Sequence, residues 1–245
     1  MLDISGFDIN KLPEELWSLT DLKKLDIFEG SVSEISEDIG NLTNLENLTI
    51  RVKSLSYIPA AIGKLSKLKN LTITCASQII KDLSEYEPLG KAPLSELPAE
   101  IGELKNLESF ELCCTSIKTL PKEIGNLSNL IYLNLSSNSI ENLPDELVNL
   151  KNLKSLSLDD NEFKSFPTVL RQLKKLEILQ LSKNKIEVIP HEVISFKKLK
   201  YLNLSNNRII DIHKNLSKID SLESLDIDNN PLRKESLKFL YNKKV

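Results

Sequence analysis

The chain has 245 residues, room for one large domain or two ordinary ones, and its apolar content is mostly Leu and Ile with only 5% aromatics, which favours many small, similar packing sites over one globular core. Its 32 basic and 35 acidic residues are interleaved, for a net charge of -3, so no basic stripe is present to neutralise phosphates and nucleic acid is not an expected partner. No apolar run reaches membrane-spanning length, and the opening "MLDISGFDINKLP" lacks the basic-then-apolar pattern of a signal peptide, which leaves localisation between the cytoplasm and export after removal of such a peptide.

The chain repeats itself. "LSNLIYLNLSSNSIENLPDEL" aligns with "LKNLKSLSLDDNEFKSFPTVL", "LKKLEILQLSKNKIEVIPHEV" and "FKKLKYLNLSNNRIIDIHKNL". With one leucine of the unit as anchor, the anchors are Leu2, Leu25, Leu48, Leu71, Phe110, Leu133, Leu156, Leu179, Leu202 and Leu225, each 23 residues from the last except for a step of 39 between Leu71 and Phe110. That gives about ten repeats, the first and last incomplete, and an insertion of 16 residues. Within a unit, "YLNLS" (132–136) alternates apolar and polar residues as a half-buried strand does. After "LP", Ile124, Leu127 and Leu130 recur every third residue, as a tight helical or 3-10 arc does. A single unit cannot bury its apolar face alone, so the units must stack.

"LPAEIGELKNL" (97–107) and "LPKEIGNLSNL" (120–130) closely resemble the bacterial 23-residue class of leucine-rich repeat proteins abundant in spirochaetes, such as Leptospira. The resemblance covers nearly the whole chain. It implies an α/β fold: one curved solenoid domain over 1–245, with a parallel β-sheet on the concave face and short helical or 3-10 arcs on the convex face. It also implies protein–protein contact, in some members with host-cell proteins.

Taken along the chain, the units differ in informative ways. No capping unit precedes the strand at Leu2, which leaves two readings open: another chain covers that edge, giving self-association, or the sequence begins inside a longer protein. Phe28, Arg51 and Val52 are expected to lie together on the solvent side of the sheet, where no core needs them. The insertion, placed at 78–93, carries Ile79, Ile80, Leu83, Tyr86 and Leu89 at helical intervals and is expected to leave Glu85, Tyr86 and Glu87 exposed at the rim. Cys75, Cys113 and Cys114 fall just before the Asn position of their units, with Cys75 and Cys114 in one column on adjacent strands. Free thiols packed as small residues are favoured there over a disulfide, and a metal site is disfavoured because His191 and His213 belong to the distant "LP" corner. Gly40, Gly63, Gly102 and Gly125 stand on the arcs and are taken as tight-turn residues. Asn138, Asn161, Asn184, Asn207 and Asn230 form a ladder in the last five units, each able to bond backbone groups of its own and the neighbouring coil. The corresponding Phe7, Gly30, Lys53, Ala76 and Thr115 cannot, except for Thr115, which predicts a less regular N-terminal half. Tyr132, Ile178 and Tyr201 share one solvent-facing column. The segment 233–245 is expected to cap the C-terminal end through Leu237, Phe239 and Leu240.

No cofactor, metal or catalytic arrangement emerges. The aspartate pairs Asp159–Asp160 and Asp226–Asp228 fit a solvated face better than a calcium site. The expected function is therefore a non-catalytic protein-binding scaffold, its partner a host or a bacterial protein, acting through its concave face and rim. The alternative is a recognition or regulatory arm of a ligase- or kinase-type enzyme whose catalytic domain lies outside these residues.

Overall fold

The computed structural model describes residues 2–3, 11–28, 31–75 and 90–237. Each coil joins one short strand to a five-residue 3-10 arc, except the last, whose strand is followed by an α-helix, Lys234–Leu237. The strands are β1 (Leu2–Asp3), β2 (Lys24–Phe28), β3 (Asn47–Arg51), β4 (Asn70–Thr74), β5 (Ser109–Cys113), β6 (Tyr132–Asn134), β7 (Ser155–Ser157), β8 (Ile178–Gln180), β9 (Val188–Ile189), β10 (Tyr201–Asn203), β11 (Asp211–Ile212) and β12 (Ser224–Asp226). Ten of them form one parallel sheet in the order β1-β2-β3-β4-β5-β6-β7-β8-β10-β12, while β9 and β11 pair at a corner of the coils. Leu25, Leu48, Leu71, Phe110 and Leu133 face one another in turn, and the same register continues to Leu225. The long step between Leu71 and Phe110 therefore leaves the stack in phase. Ala92 bridges Thr115 and donates its N–H to the Cys114 carbonyl at 2.8 Å, so the chain is back in the solenoid by residue 92. The insertion thus runs between Cys75 and Ala92 rather than over 78–93, and residues 76–89, with Glu85, Tyr86 and Glu87, lie outside the described residues. So do Phe7, Gly30, Ala76, Phe239 and Leu240.

Proline sets the start of most arcs. Pro13, Pro59, Pro98, Pro121, Pro144, Pro167 and Pro190 precede them with φ between -63° and -75°, a value the ring imposes, and the missing N–H is no loss at a helix start. Where proline is absent a side chain caps instead: the Ser36 hydroxyl accepts the Asp38 N–H and His213 Nδ1 accepts the Asn215 N–H, both at 3.2 Å. Inside the coils one continuous core runs along the stack; in a single unit Leu133, Leu135, Ile140, Leu147, Leu150 and Leu153 are all fully buried.

Two expectations need correcting. The arc glycines do not make tight turns, since among the described glycines only Gly90 has a positive φ. They let neighbouring arcs touch: a Cβ on Gly102 would stand 2.5 Å from the Glu123 carbonyl oxygen of the next coil. Val148 and Arg171 replace glycine in later coils, and a groove of about 610 Å³ lined by Val148, Phe163, Phe166 and Val169 lies beside those arcs. The N-terminal coils, moreover, are among the described residues as regular in strand register as the rest. They keep the same register but close their turns differently, with five-residue strands in β2 to β5 against three-residue strands in β6, β7, β8, β10 and β12. The turns also differ in one backbone angle, which the coil of β5 shares with the later coils although its strand is five residues long. Cys114, Ser137, Asp160, Lys183, Asn206 and Asn229, each just before the Asn column, have φ between 52° and 57°, whereas Val52 and Cys75 do not enter the left-handed region.

That angle decides which way the next side chain points. In the later coils the left-handed residue turns outward and the following Asn turns inward. In the coil of β3 the strand alternation simply continues, so Val52 follows Leu48 and Ile50 into the core and is 0% exposed, leaving Lys53 exposed to solvent. Val52 therefore leaves the expected surface group.

Candidate protein-interaction face

The alternation that buries the anchors turns the residues between them outward, so each strand contributes side chains to the open face of the sheet. Most are Ser, Thr, Asn or Gln. In one row Tyr132, Ser155, Ile178 and Tyr201 are direct partners across β6, β7, β8 and β10. Tyr132 and Ile178 are half-buried and Tyr201 is 46% exposed. Burial and, secondarily, the Glu111 carboxylate push the Tyr132 hydroxyl above its usual pKa. Phe28 and Arg51 pair across β2 and β3, with the guanidinium carbon 5.2 Å from the ring centroid, a cation–π contact worth about 0.5–1 kcal/mol at an exposed site. Of the expected group Phe28–Arg51–Val52, two members meet on the surface.

Beside the face runs a charged row invisible to the apolar pattern. Two residues before each anchor stand Lys23, Glu46, Lys69, Glu108, Ile131, Lys154, Glu177, Lys200 and Glu223. Charges alternate from coil to coil. Lys69 and Lys200 each lie 3.0 Å from the glutamate of the preceding coil, Glu46 and Glu177. These hydrogen-bonded pairs hold both carboxyls below and both ammonium groups above their ordinary pKa values. Ile131, 40% exposed and next to Tyr132, breaks the row. The signal that finds it is the column read at a spacing of 23 rather than the unit read along the chain.

Behind the face the Asn side chains knit coil to coil. The Asn184 amide donates to the Leu158, Leu181 and Ser182 carbonyls at 2.9, 3.1 and 3.0 Å, while its oxygen accepts the Phe163 N–H at 3.1 Å. Asn138, Asn161, Asn207 and Asn230 each donate to three carbonyls in the same way. Thr115 ends the series, its N–H and hydroxyl both donating to the Asn138 oxygen. A second ladder, unread in the sequence, lies at the other turn: Asn44, Asn106, Asn129 and Asn152 donate to carbonyls of the preceding coil at 2.7–3.0 Å.

Cys75, Cys113 and Cys114 are free and buried, and with Ala92 they form a small cluster apart from the main core. Cys113 lies on the sheet side, covered by Glu111 and Ser136, each with an oxygen 3.6 Å from its sulfur, and burial raises its thiol pKa to about 12. The Cys75 thiol hydrogen-bonds Cys114, which raises the pKa of Cys75 and lowers that of Cys114. His191 and His213 meet at the arc corner with ring centroids 5.9 Å apart, far along the chain from the cysteines. Among the described residues no group of three or more His, Cys, Asp or Glu side chains is arranged to hold a metal ion, and no helix is long and apolar enough to cross a membrane.

The sequence matches a leucine-rich repeat region over residues 86–165 and a leucine rich repeat over residues 167–232. No curated protein matches it. Among solved structures, a leucine-rich repeat protein of Leptospira interrogans is similar over 98% of this chain, with 33% identity and a TM-score of 0.84. The chain spans 57% of the length of that protein. Internalin C2 of Listeria monocytogenes is similar over 86% of this chain and 83% of its own, with 25% identity and a TM-score of 0.68. The plant peptide hormone receptor RGFR1, solved in complex with RGF2, is similar over 90% of this chain and 42% of its own, with 28% identity and a TM-score of 0.61. Such arrays serve broadly as protein-interaction scaffolds. The in-phase coils, the asparagine ladder and these matches together make the chain a member of the leucine-rich repeat family, of the Leptospira-like bacterial kind.

Proposed function

We propose that the chain is a non-catalytic scaffold that binds a protein partner through the open face of its sheet, with Tyr132, Ile178 and Tyr201 as the central contact and Phe28–Arg51 as a second one. One observation carries the reading. A row of large side chains, Tyr132, Ile178 and Tyr201, stands on a face built mostly of short polar residues, and no part of the described chain covers it. The reading extends to the rim segment bearing Glu85, Tyr86 and Glu87. Kinship with Leptospira and Listeria proteins favours a host molecule as the partner over a bacterial one.

The test is capture of partners from host serum and from bacterial lysate by the wild-type chain and by a Tyr132→Ser, Ile178→Ser, Tyr201→Ser variant. A host protein held by the wild type and lost by the variant, with the circular dichroism of both unchanged, supports the proposal. Equal capture by both overturns it. Deleting residues 76–91 should leave the coils in phase and weaken capture; unchanged capture removes the rim from the site. A reading as the arm of a larger enzyme uses the same face and draws on the chain matching only part of the Leptospira protein's length; catalytic motifs in the flanking gene sequence would favour it. Self-association through the β1 edge would appear as a dimer or larger species in light scattering.

A further inference from the structure

The two ends of the face differ in charge. From β5 to β12 the outward strand residues include Glu111, Asp159, Asp226 and Asp228 and no Lys, Arg or His, and in the turn column beyond them Lys183, which acts on Asp159, is matched by Asp160, whereas the β2 and β3 end presents Lys24 and Arg51 against Asp26, which Lys24 pairs at 2.7 Å. None of those four C-terminal carboxylates belongs to an ion pair among the described residues. Two of them are fixed by hydrogen bonds rather than by cations: Asp159 accepts the Ser182 N–H and hydroxyl at 2.6 and 2.9 Å, and Asp226 accepts the Asp228 N–H at 3.0 Å. The flanking row does not offset them, because Lys154 and Lys200 alternate there with Glu177 and Glu223. The same stretch carries Tyr132, Ile178 and Tyr201. Strands about 4.8 Å apart put the ends of that row, and likewise Asp159 and Asp228, about 14 Å from each other. Apolar surface bordered by net negative charge is complementary to one class of partner.

We infer that the C-terminal part of the open face binds a cationic protein segment, one carrying Lys or Arg on either side of apolar side chains, which seat on the Tyr132–Ile178–Tyr201 row while the basic groups meet Glu111, Asp159, Asp226 and Asp228. This rests on the proposal that the open face is the contact surface, and adds the chemistry of what it contacts.

Selection of displayed random 12-residue peptides on the full chain tests both and separates them. The expected result is a bound pool enriched in Lys and Arg together with apolar residues. A synthetic peptide from that pool should lose about tenfold or more in affinity for a Glu111→Gln, Asp159→Asn, Asp226→Asn, Asp228→Asn variant, and less than about twofold for a variant neutralised at Glu103, Glu123, Glu146 and Asp220 away from the sheet. Its binding should also weaken from 50 to 300 mM salt, as exposed charge pairs do when the screening length falls below about 10 Å. Enrichment of neutral or acidic peptides, or equal losses in the two charge variants, overturns the inference and leaves the contact surface standing if the Tyr132→Ser, Ile178→Ser, Tyr201→Ser variant no longer binds. Failure of any peptide to enrich overturns both.

Discussion

The coils of β3 and β4 and the coils of β6 to β12 share one register, yet they fill the space beneath the turn by opposite chemistry. In the first group the strand runs on to a further buried residue, Val52 in the main core or Cys75 in the small cluster with Ala92, Cys113 and Cys114. In the second the residue before the Asn column is left-handed and the Asn side chain takes the space, offsetting its burial with hydrogen bonds to two coils. The apolar solution depends on packing alone. The polar one depends on every neighbour also presenting carbonyls at the right height, so it propagates. The coil of β5 joins the two, with Cys114 already left-handed and Thr115 supplying only donors to Asn138.

The comparison can be broken most forcefully in the polar half. Asn184→Ala leaves the buried Phe163 N–H without its acceptor and takes one of two donors from each of the Leu158, Leu181 and Ser182 carbonyls, and at about 1–3 kcal/mol for a buried group left unsatisfied the loss should be about 2–3 kcal/mol in urea unfolding. A loss under about 1 kcal/mol would mean that water replaces the side chain there. Next comes Gly102→Ala on the outer arcs, where the new methyl meets a backbone oxygen; overpacking of this kind costs about 1–3 kcal/mol, and an unchanged melting temperature would show the arcs free to part. Val52→Ala should cost about 1–2 kcal/mol through the loss of two carbons of the isopropyl group from a fully buried site, somewhat below the range for larger aliphatics. Smallest of all, Lys53→Asn should move stability by no more than about 0.5 kcal/mol, although it restores the consensus letter, because Val52 lacks the left-handed backbone that would turn residue 53 inward. A clear gain from Lys53→Asn would show that the side chain, rather than the preceding backbone, chooses the turn.

Much of this was legible in the letters. The spacing of 23 predicts the register, and the Asn column predicts which coils share a ladder. Val52 was misjudged because whether position 52 faces in or out depends on the sign of a φ angle, which neither valine's apolarity nor the repeat alignment encodes. The glycines were misjudged for a related reason: a glycine needed for close approach and one needed for a left-handed turn look alike until the neighbouring arc is in view. Tyr132, Ile178 and Tyr201 could be placed in one row because parallel strands in phase preserve columns. The alternating row and Ile131 were equally available in those columns but carry no apolar period, so a search guided by hydrophobicity passes over them.

The alternating row also limits how the array can change its number of coils. Excising the coil of Glu46, Lys69, Glu177 or Lys200 would bring like charges face to face, Lys23 on Lys69, for example, or Lys154 on Lys200, and like charges directly opposite on neighbouring strands are destabilising. Excising the coil of Ile131 instead would join Glu108 to Lys154 and make the alternation unbroken from Lys23 to Glu223. Loss or gain of coils in pairs keeps the charges in step, and inside the array a single coil can be lost without setting like charges together only at the uncharged coil or at its two neighbours, those of Glu108 and Lys154. The uncharged coil also bears Tyr132, so the place where copy number is electrostatically free is the place where the apolar row begins.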